Sequence, residues 1–210
     1  MKNIAEILVQ NDVVKTNFEN PFVWASGIKS PIYCDCRELI SIPEARQEIV
    51  KAFLDLISRE NLPHEVISGT ATAGIPWAAF IAQYLGKPML YVRPEPKSHG
   101  AGKQVEGRGE KGKNVLIIED AFSTGGSSIK SAEALRNELD AKVENILAIF
   151  SWDTPQLPEN AKKGKVRLLP LTNFAEIAEA LEKFGKTNDK ESEDLLRFHS
   201  DPKGWWNTKS

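Results

Sequence analysis

Two adjacent carboxylates, Glu119 and Asp120, close the apolar run Val115–Ile118, and a turn of small, hydroxyl-bearing residues follows through Ser123, Thr124, Gly125, Gly126 and Ser127. The apolar run predicts a buried strand that delivers both acids at its carboxyl end. The two glycines let the backbone approach a ligand closely. Backbone N–H groups of the turn, with the amino terminus of a helix expected over 126–139, make an anion site. Hydroxyls add further donors. Such an arrangement suits a ligand with a phosphate at one end and vicinal hydroxyls beside it, as in a ribose 5-phosphate. It is not a nucleotide-hydrolase phosphate loop, because the Gly-Lys-Ser/Thr step is missing. Nor is it a dinucleotide fingerprint, since the acids precede the glycines.

The surrounding pattern says what positions this segment. Residues 3–14 suggest an amphipathic helix, and residues 18–37 read as strand and turn, punctuated by Pro21, Gly27 and Pro31. Pro43 and Glu44 open a helix along which Ala45, Ile49, Phe53, Leu56 and Ile57 recur at helical spacing. Short apolar runs then follow at Glu65–Ser68, Met89–Val92, Val115–Ile118, Asn145–Phe150 and Val166–Leu169. Helices are expected near Ile75–Leu85, over 126–139 and over Phe174–Phe184. Strands alternating with helices predict an α/β fold, a mostly parallel central sheet covered on both faces. Ligands bind beyond the carboxyl ends of such strands. The loops after Ser68, Val92 and Ile118 are therefore the places to look for chemistry.

Residues 93–113 hold no recognisable element, yet carry Gly100, Gly102, Gly107, Gly109 and Gly112 among Lys97, Lys103, Glu106 and Arg108. A loop this long inside a compact domain is functional or disordered. The tail from Gly185 is polar as far as Trp205 and Trp206 and reads as a flexible extension, with an aromatic pair able to anchor on the domain or on a partner.

A chain of 210 residues with 41% hydrophobic and 27% charged residues is long enough for a core without metal or disulfide support. The formal charge of −2 gives no basic field for nucleic acid. Cys34 and Cys36, the two cysteines, are expected to be small buried side chains rather than a disulfide or zinc site. No signal-peptide core or bilayer-length apolar run is visible, so cytoplasmic residence is expected.

The segment 115–128 resembles the diphosphoribosyl-binding signature of type I phosphoribosyltransferases. Residues 22–37, Phe-Val-Trp-Ala-Ser-Gly-Ile-Lys-Ser-Pro-Ile-Tyr-Cys-Asp-Cys-Arg, resemble the amino-terminal Ser-Gly-x-x-Ser-Pro-x-Tyr segment of the orotate phosphoribosyltransferase family. Residues 93–107 resemble that family's mobile catalytic loop, and Gly69-Thr-Ala-Thr-Ala-Gly-Ile-Pro76 resembles its pyrophosphate loop. The four segments stand in the family order within residues 1–184.

The resemblance implies the type I fold over 1–184 with a small amino-terminal hood (mainly 1–40), a mobile loop at 93–113 and an extension at 185–210. It implies transfer of a phosphoribosyl group from 5-phosphoribosyl 1-diphosphate to orotate, in pyrimidine biosynthesis. Glu119 and Asp120 would hold the ribose hydroxyls, and Ala121, Phe122 and the 123–127 turn would complete the sugar-phosphate site. Arg93, Lys97, His99 and Lys103 would supply cations where the leaving pyrophosphate gains charge. A loop that closes would exclude water from a sugar cation. Thr70, Ala71, Thr72 and Ala73 would form the pyrophosphate loop. Ser123 would contact orotate, with Tyr33 and Cys34 beside it and Lys29 either near the base carboxylate or merely part of a Ser-Pro turn. Mg²⁺ is implied on the diphosphate with no direct protein ligand, as is a homodimer that shares the 93–113 loop across subunits, with no nucleic-acid or membrane partner. The chain departs from some family members at Ala73, at Pro94 and at Ser151–Thr154, where those members carry basic residues.

Two other readings stay open on the sequence. A different base would leave the 115–128 signature intact and change only the hood. A regulator that senses the sugar diphosphate would carry a basic face or an added domain, and neither is visible.

Overall fold

A computed structural model describes residues 3–24, 27–96 and 102–209. The chain divides into two compact units, one formed by residues 1–45 with 172–210 and the other by 46–171.

The larger unit holds most of the sheet. Helix α2 (Pro43–Arg59) leads into it, with Pro43 in its first turn and an acid, Glu44, beside the positive end of its dipole. Then follow β5 (Val66–Thr70), α3 (Gly74–Leu85), β6 (Met89–Val92), β7 (Val105–Glu106), β8 (Val115–Phe122), α4 (Gly126–Leu139), β9 (Asn145–Ser151), α5 (Gln156–Gly164) and β10 (Arg167–Asn173). The six strands lie in the order β10-β9-β8-β5-β6-β7. Pairings of β5 with β6 and β8, and of β8 with β9, are parallel; β7 runs antiparallel to β6. The mostly parallel α/β sheet expected from the sequence is present. Every residue of β5 and β9 is buried, the pattern of strands covered on both faces. Ile117, Phe122, Leu135, Ile146 and Leu90 lie in one core cluster of this unit.

The smaller unit begins with α1 (Ile4–Gln10), capped by the Asn3 side chain, and continues through β1 (Val14–Thr16), β2 (Phe22–Val23), β3 (Lys29–Ser30) and β4 (Ile32–Cys34). Here β1 pairs with β4 and β2 with β3, both antiparallel. It closes with α6 (Phe174–Lys183), α7 (Asp189–Ser200) and a 3₁₀ turn at Trp205–Lys209. Residues 1–45 and the tail thus belong to one unit.

Several boundaries differ from the sequence reading. The strand expected to end at Ile118 continues to Phe122, so both acids are strand residues. The loop 93–113 contains β7, and α5 is an element the sequence pattern does not show. The tail carries helix α7 and the 3₁₀ turn. Helix α7 starts on a capping box in which Asn188 and Glu191 each accept the other's backbone N–H, at 3.1 and 3.0 Å. Trp205 is 2% exposed and donates its indole N–H to Asp194 at 2.8 Å. Cys36 is buried but Cys34 only partly; their sulfurs lie 3.7 Å apart as free thiols.

Candidate active site

The carboxyl ends of β5, β6 and β8 converge with the start of α4. A cavity of about 310 Å³ lies there, lined among others by Thr70, Ala71, Arg93, Gly126, Ser127 and Lys130. Arg93 and the two turns, separated by tens of residues in the chain, therefore border one shared space.

Helix α4 starts on Gly125, which adopts φ 76° and provides no side-chain cap. A side chain at that position would also press on Leu157 and Leu168, at 3.0 and 3.2 Å. The first backbone N–H groups of the helix are thus presented by a turn only glycine fits comfortably. The turn is pinned from behind: Thr154 donates its hydroxyl to the Ser123 carbonyl at 2.8 Å, and Asn160 its amide to the Thr124 carbonyl at 2.9 Å. Neither residue stands out in the sequence as a partner of the turn. Lys130 also escapes the sequence reading, although it follows Ser127 at i+3 and so shares its helix face.

Glu119 and Asp120 are consecutive residues of β8, and their carboxyls lie close enough to interact directly. Glu119 is 4% exposed and accepts from the Ser127 hydroxyl at 3.3 Å, the Ser128 hydroxyl at 3.2 Å and the Asp120 N–H at 3.2 Å. Burial, reinforced by the neighbouring Asp120 charge, pushes its carboxyl up to about 8. Asp120 is only partly buried. The Phe122 ring is fully buried in the core, and its carbonyl accepts the Trp152 N–H at 2.8 Å.

The β5–α3 loop packs tightly on β8. A Cβ on Gly69 would meet the Ile75 Cα at 2.8 Å, and one on Gly74 would overlap the Ile118 carbonyl. The Ala71–Thr72 peptide is cis. The Ala71 N–H donates to the Val92 carbonyl at 2.9 Å, which ties this loop to the end of β6. Thr70 is 4% exposed, and its hydroxyl has no hydrogen-bond partner among the described residues.

Of the four cations predicted on the loop, Lys97 and His99 lie outside the described residues. Arg93 faces the cavity, its guanidinium 3.7 Å from Glu106. Lys103 is exposed on the far stem. The two stems are cross-linked: Arg93 donates its N–H to the Gln104 carbonyl at 3.0 Å, and the Gln104 side chain donates to the carbonyls of Arg93 and Pro94 at 3.1 and 3.3 Å. Glu138, from the end of α4, accepts the N–H groups of Gln104 at 2.7 Å and Val105 at 3.3 Å.

The three hood residues belong to the smaller unit. The Lys29 ammonium sits 4.5 Å from the centre of a Trp206 ring. The Tyr33 hydroxyl lies 3.1 Å from Arg37 and 3.4 Å from Asp35, and Cys34 neighbours Cys36.

Comparison with known proteins gives this geometry a family. A phosphoribosyl transferase domain matches residues 38–183. The orotate phosphoribosyltransferase of Lactococcus lactis subsp. cremoris is 43% identical over 204 residues, 97% of each chain. The chain belongs to the orotate phosphoribosyltransferase family. The enzyme of that name from Coxiella burnetii is 42% identical over 202 residues, 96% of each chain. The crystal structure of orotate phosphoribosyltransferase from Aeropyrum pernix is 32% identical, with a TM-score of 0.75, covering 88% of this chain and 99% of that one. The fold is accordingly the type I phosphoribosyltransferase fold.

Proposed function

We propose that the protein transfers the 5-phosphoribosyl group from 5-phosphoribosyl 1-diphosphate to orotate, giving orotidine 5′-phosphate and pyrophosphate in pyrimidine biosynthesis. The observation that carries this reading is the single cavity where the β5–α3 loop, Arg93 and the start of α4 meet. The α4 amino terminus, with Ser123, Thr124 and Ser127, holds the 5-phosphate. Asp120, only partly buried, takes the ribose hydroxyls. Glu119, fastened to Ser127 and Ser128, joins the sugar site to the phosphate turn. The 70–73 loop cradles the diphosphate, one of whose oxygens gives the buried Thr70 hydroxyl a partner.

Bond breaking at the sugar carbon leaves positive charge on the ribose and adds negative charge to the departing oxygens. Arg93 and Lys130 border the cavity and stabilise that charge where it develops. Lys97, His99 and Lys103 act from the loop that the Gln104 and Glu138 contacts hold at its base. The family resemblance assigns Ser123, and from the smaller unit Lys29, Tyr33 and Cys34, to recognition of the base. The family resemblance puts a magnesium ion on the diphosphate of the substrate, where hard oxygen ligands suit it. Such an ion, when bound, offsets phosphate charge. The working form is a cytoplasmic homodimer that shares the 93–113 loop across subunits. No helix among the described residues is long and apolar enough to cross a membrane.

A base panel tests this reading. With sugar diphosphate and Mg²⁺ present, pyrophosphate release should require orotate and stay at background with adenine, hypoxanthine, guanine or uracil. Release with a purine and not with orotate would reassign the substrate.

A further inference from the structure

The β2–β3 hairpin has two residues per strand, Phe22 paired with Ser30 and Val23 with Lys29. It is closed by the Trp24 N–H to the Ile28 carbonyl at 2.9 Å and the Gly27 N–H to the Trp24 carbonyl at 2.8 Å. So small a hairpin does not hold its shape alone. What holds it lies at the other end of the chain, in the same compact unit. The Trp24 ring meets the Phe198 ring of α7 edge-on at 5.7 Å, Phe198 meets Trp205 edge-on at 5.7 Å, and Trp205 lies against Trp206 at 5.7 Å. Trp206 then receives the Lys29 ammonium, 4.5 Å from the ring centre. A line of aromatic rings thus runs from one stem of the hairpin to the other through the tail.

The tail end of that line is fixed. Trp205 is buried and bonded to Asp194, and the turn before it is tied by the Gly204 N–H to the Asp201 carboxylate at 3.0 Å. Trp205 accounts for the packing. Trp206 is only partly buried, and its ring faces a cation instead of the core. A lysine side chain is among the most flexible in a protein, so a ring that restrains it lowers the ordering cost of any anion it later binds.

We propose that the carboxy-terminal turn is a clamp that positions Lys29 through Trp206 and thereby sets the affinity for the carboxylate-bearing base. Trp206 is a positioning residue in this account. The proposal rests on Lys29 serving the base, as in the functional reading above.

The test uses the full chain and its Trp206→Ala, Trp206→Phe, Lys29→Ala and double Ala variants. A cation–π contact at an exposed site is worth a factor of about two to five in an equilibrium. Trp206→Ala is expected to raise KM for orotate by about that factor, more than it changes kcat or KM for the sugar diphosphate. It should also speed amide hydrogen exchange over residues 22–24 and 27–30. Trp206→Phe should restore most of the loss. In the Lys29→Ala background, Trp206→Ala should add nothing. Unchanged exchange over the hairpin overturns the clamp whatever the activity. So does an equal rise in KM in both backgrounds, or a fall in KM, which would make Trp206 a competitor for Lys29. Wild-type protein that does not turn over orotate would instead overturn the functional reading, and the exchange measurement would still decide the clamp.

Discussion

Replacing Glu119 by Gln should change how stability depends on pH, and the structure fixes the sign. The carboxyl is raised from an ordinary 4.5 to about 8, first by burial and then by the Asp120 charge. The folded state therefore binds more protons than the unfolded state between those values. Stability from this group is fully present below about pH 4.5 and is lost as pH rises through 8. A tenfold change in proton affinity is worth about 1.4 kcal/mol, so the loss is on the order of a few kcal/mol across that window. For a chain of this size, each kcal/mol moves Tm by about 2–4 °C. Unliganded wild-type protein should therefore melt several degrees lower at pH 8.5 than at pH 5. Glutamine keeps the shape and an acceptor for the Ser127 and Ser128 hydroxyls but cannot ionise. The variant's melting temperature should be nearly flat over the same range, apart from a background that other groups contribute to both proteins. Melting curves at matched ionic strength, taken as the difference between the two proteins, isolate the effect. A wild-type curve that rises through this window relative to the variant would refute the placement of Glu119 as a buried, charge-averse group.

Two further variants test the scaffold. Gly74→Ala puts a methyl into the Ile118 carbonyl, and overpacking of that kind costs about 1–3 kcal/mol; a Tm equal to wild type would show that the β5–α3 loop is not pressed against β8. Glu138→Ala removes the acceptor of two N–H groups at the foot of the 93–113 loop. Amide exchange at 104–106 should rise and kcat should fall several-fold with little change in Tm, whereas unchanged exchange there would dismiss Glu138 as a loop anchor.

The phosphate turn is legible in the sequence because its elements are contiguous in the chain. Residues 115–128 write strand, acids, turn and helix in one line, and the structure keeps that order. The strand boundary falls beyond Ile118 because Glu119 and Asp120 interrupt the apolar run without ending the strand. They are tolerated there because the Ser127 and Ser128 hydroxyls meet Glu119 and Asp120 is only partly buried. The two-residue β7 is too short to show any period. Helix α5 is obscured by Pro158 near its start, a position where proline costs no helical hydrogen bond. Helix α7 has few apolar residues, and its best signal is the Asn188–Glu191 capping pair, which carries no hydrophobic pattern. Thr154 and Asn160 cannot be found from spacing, because their partners lie more than thirty positions away and only the fold brings them together.

Phosphoribosyl transfer to orotate is read directly from the loss of orotate's ultraviolet absorbance when purified protein is supplied with 5-phosphoribosyl 1-diphosphate and Mg²⁺. The absorbance should decline only when protein, sugar diphosphate and metal are all present, with stoichiometric release of pyrophosphate. A flat trace from folded protein that still binds the sugar diphosphate would contradict it.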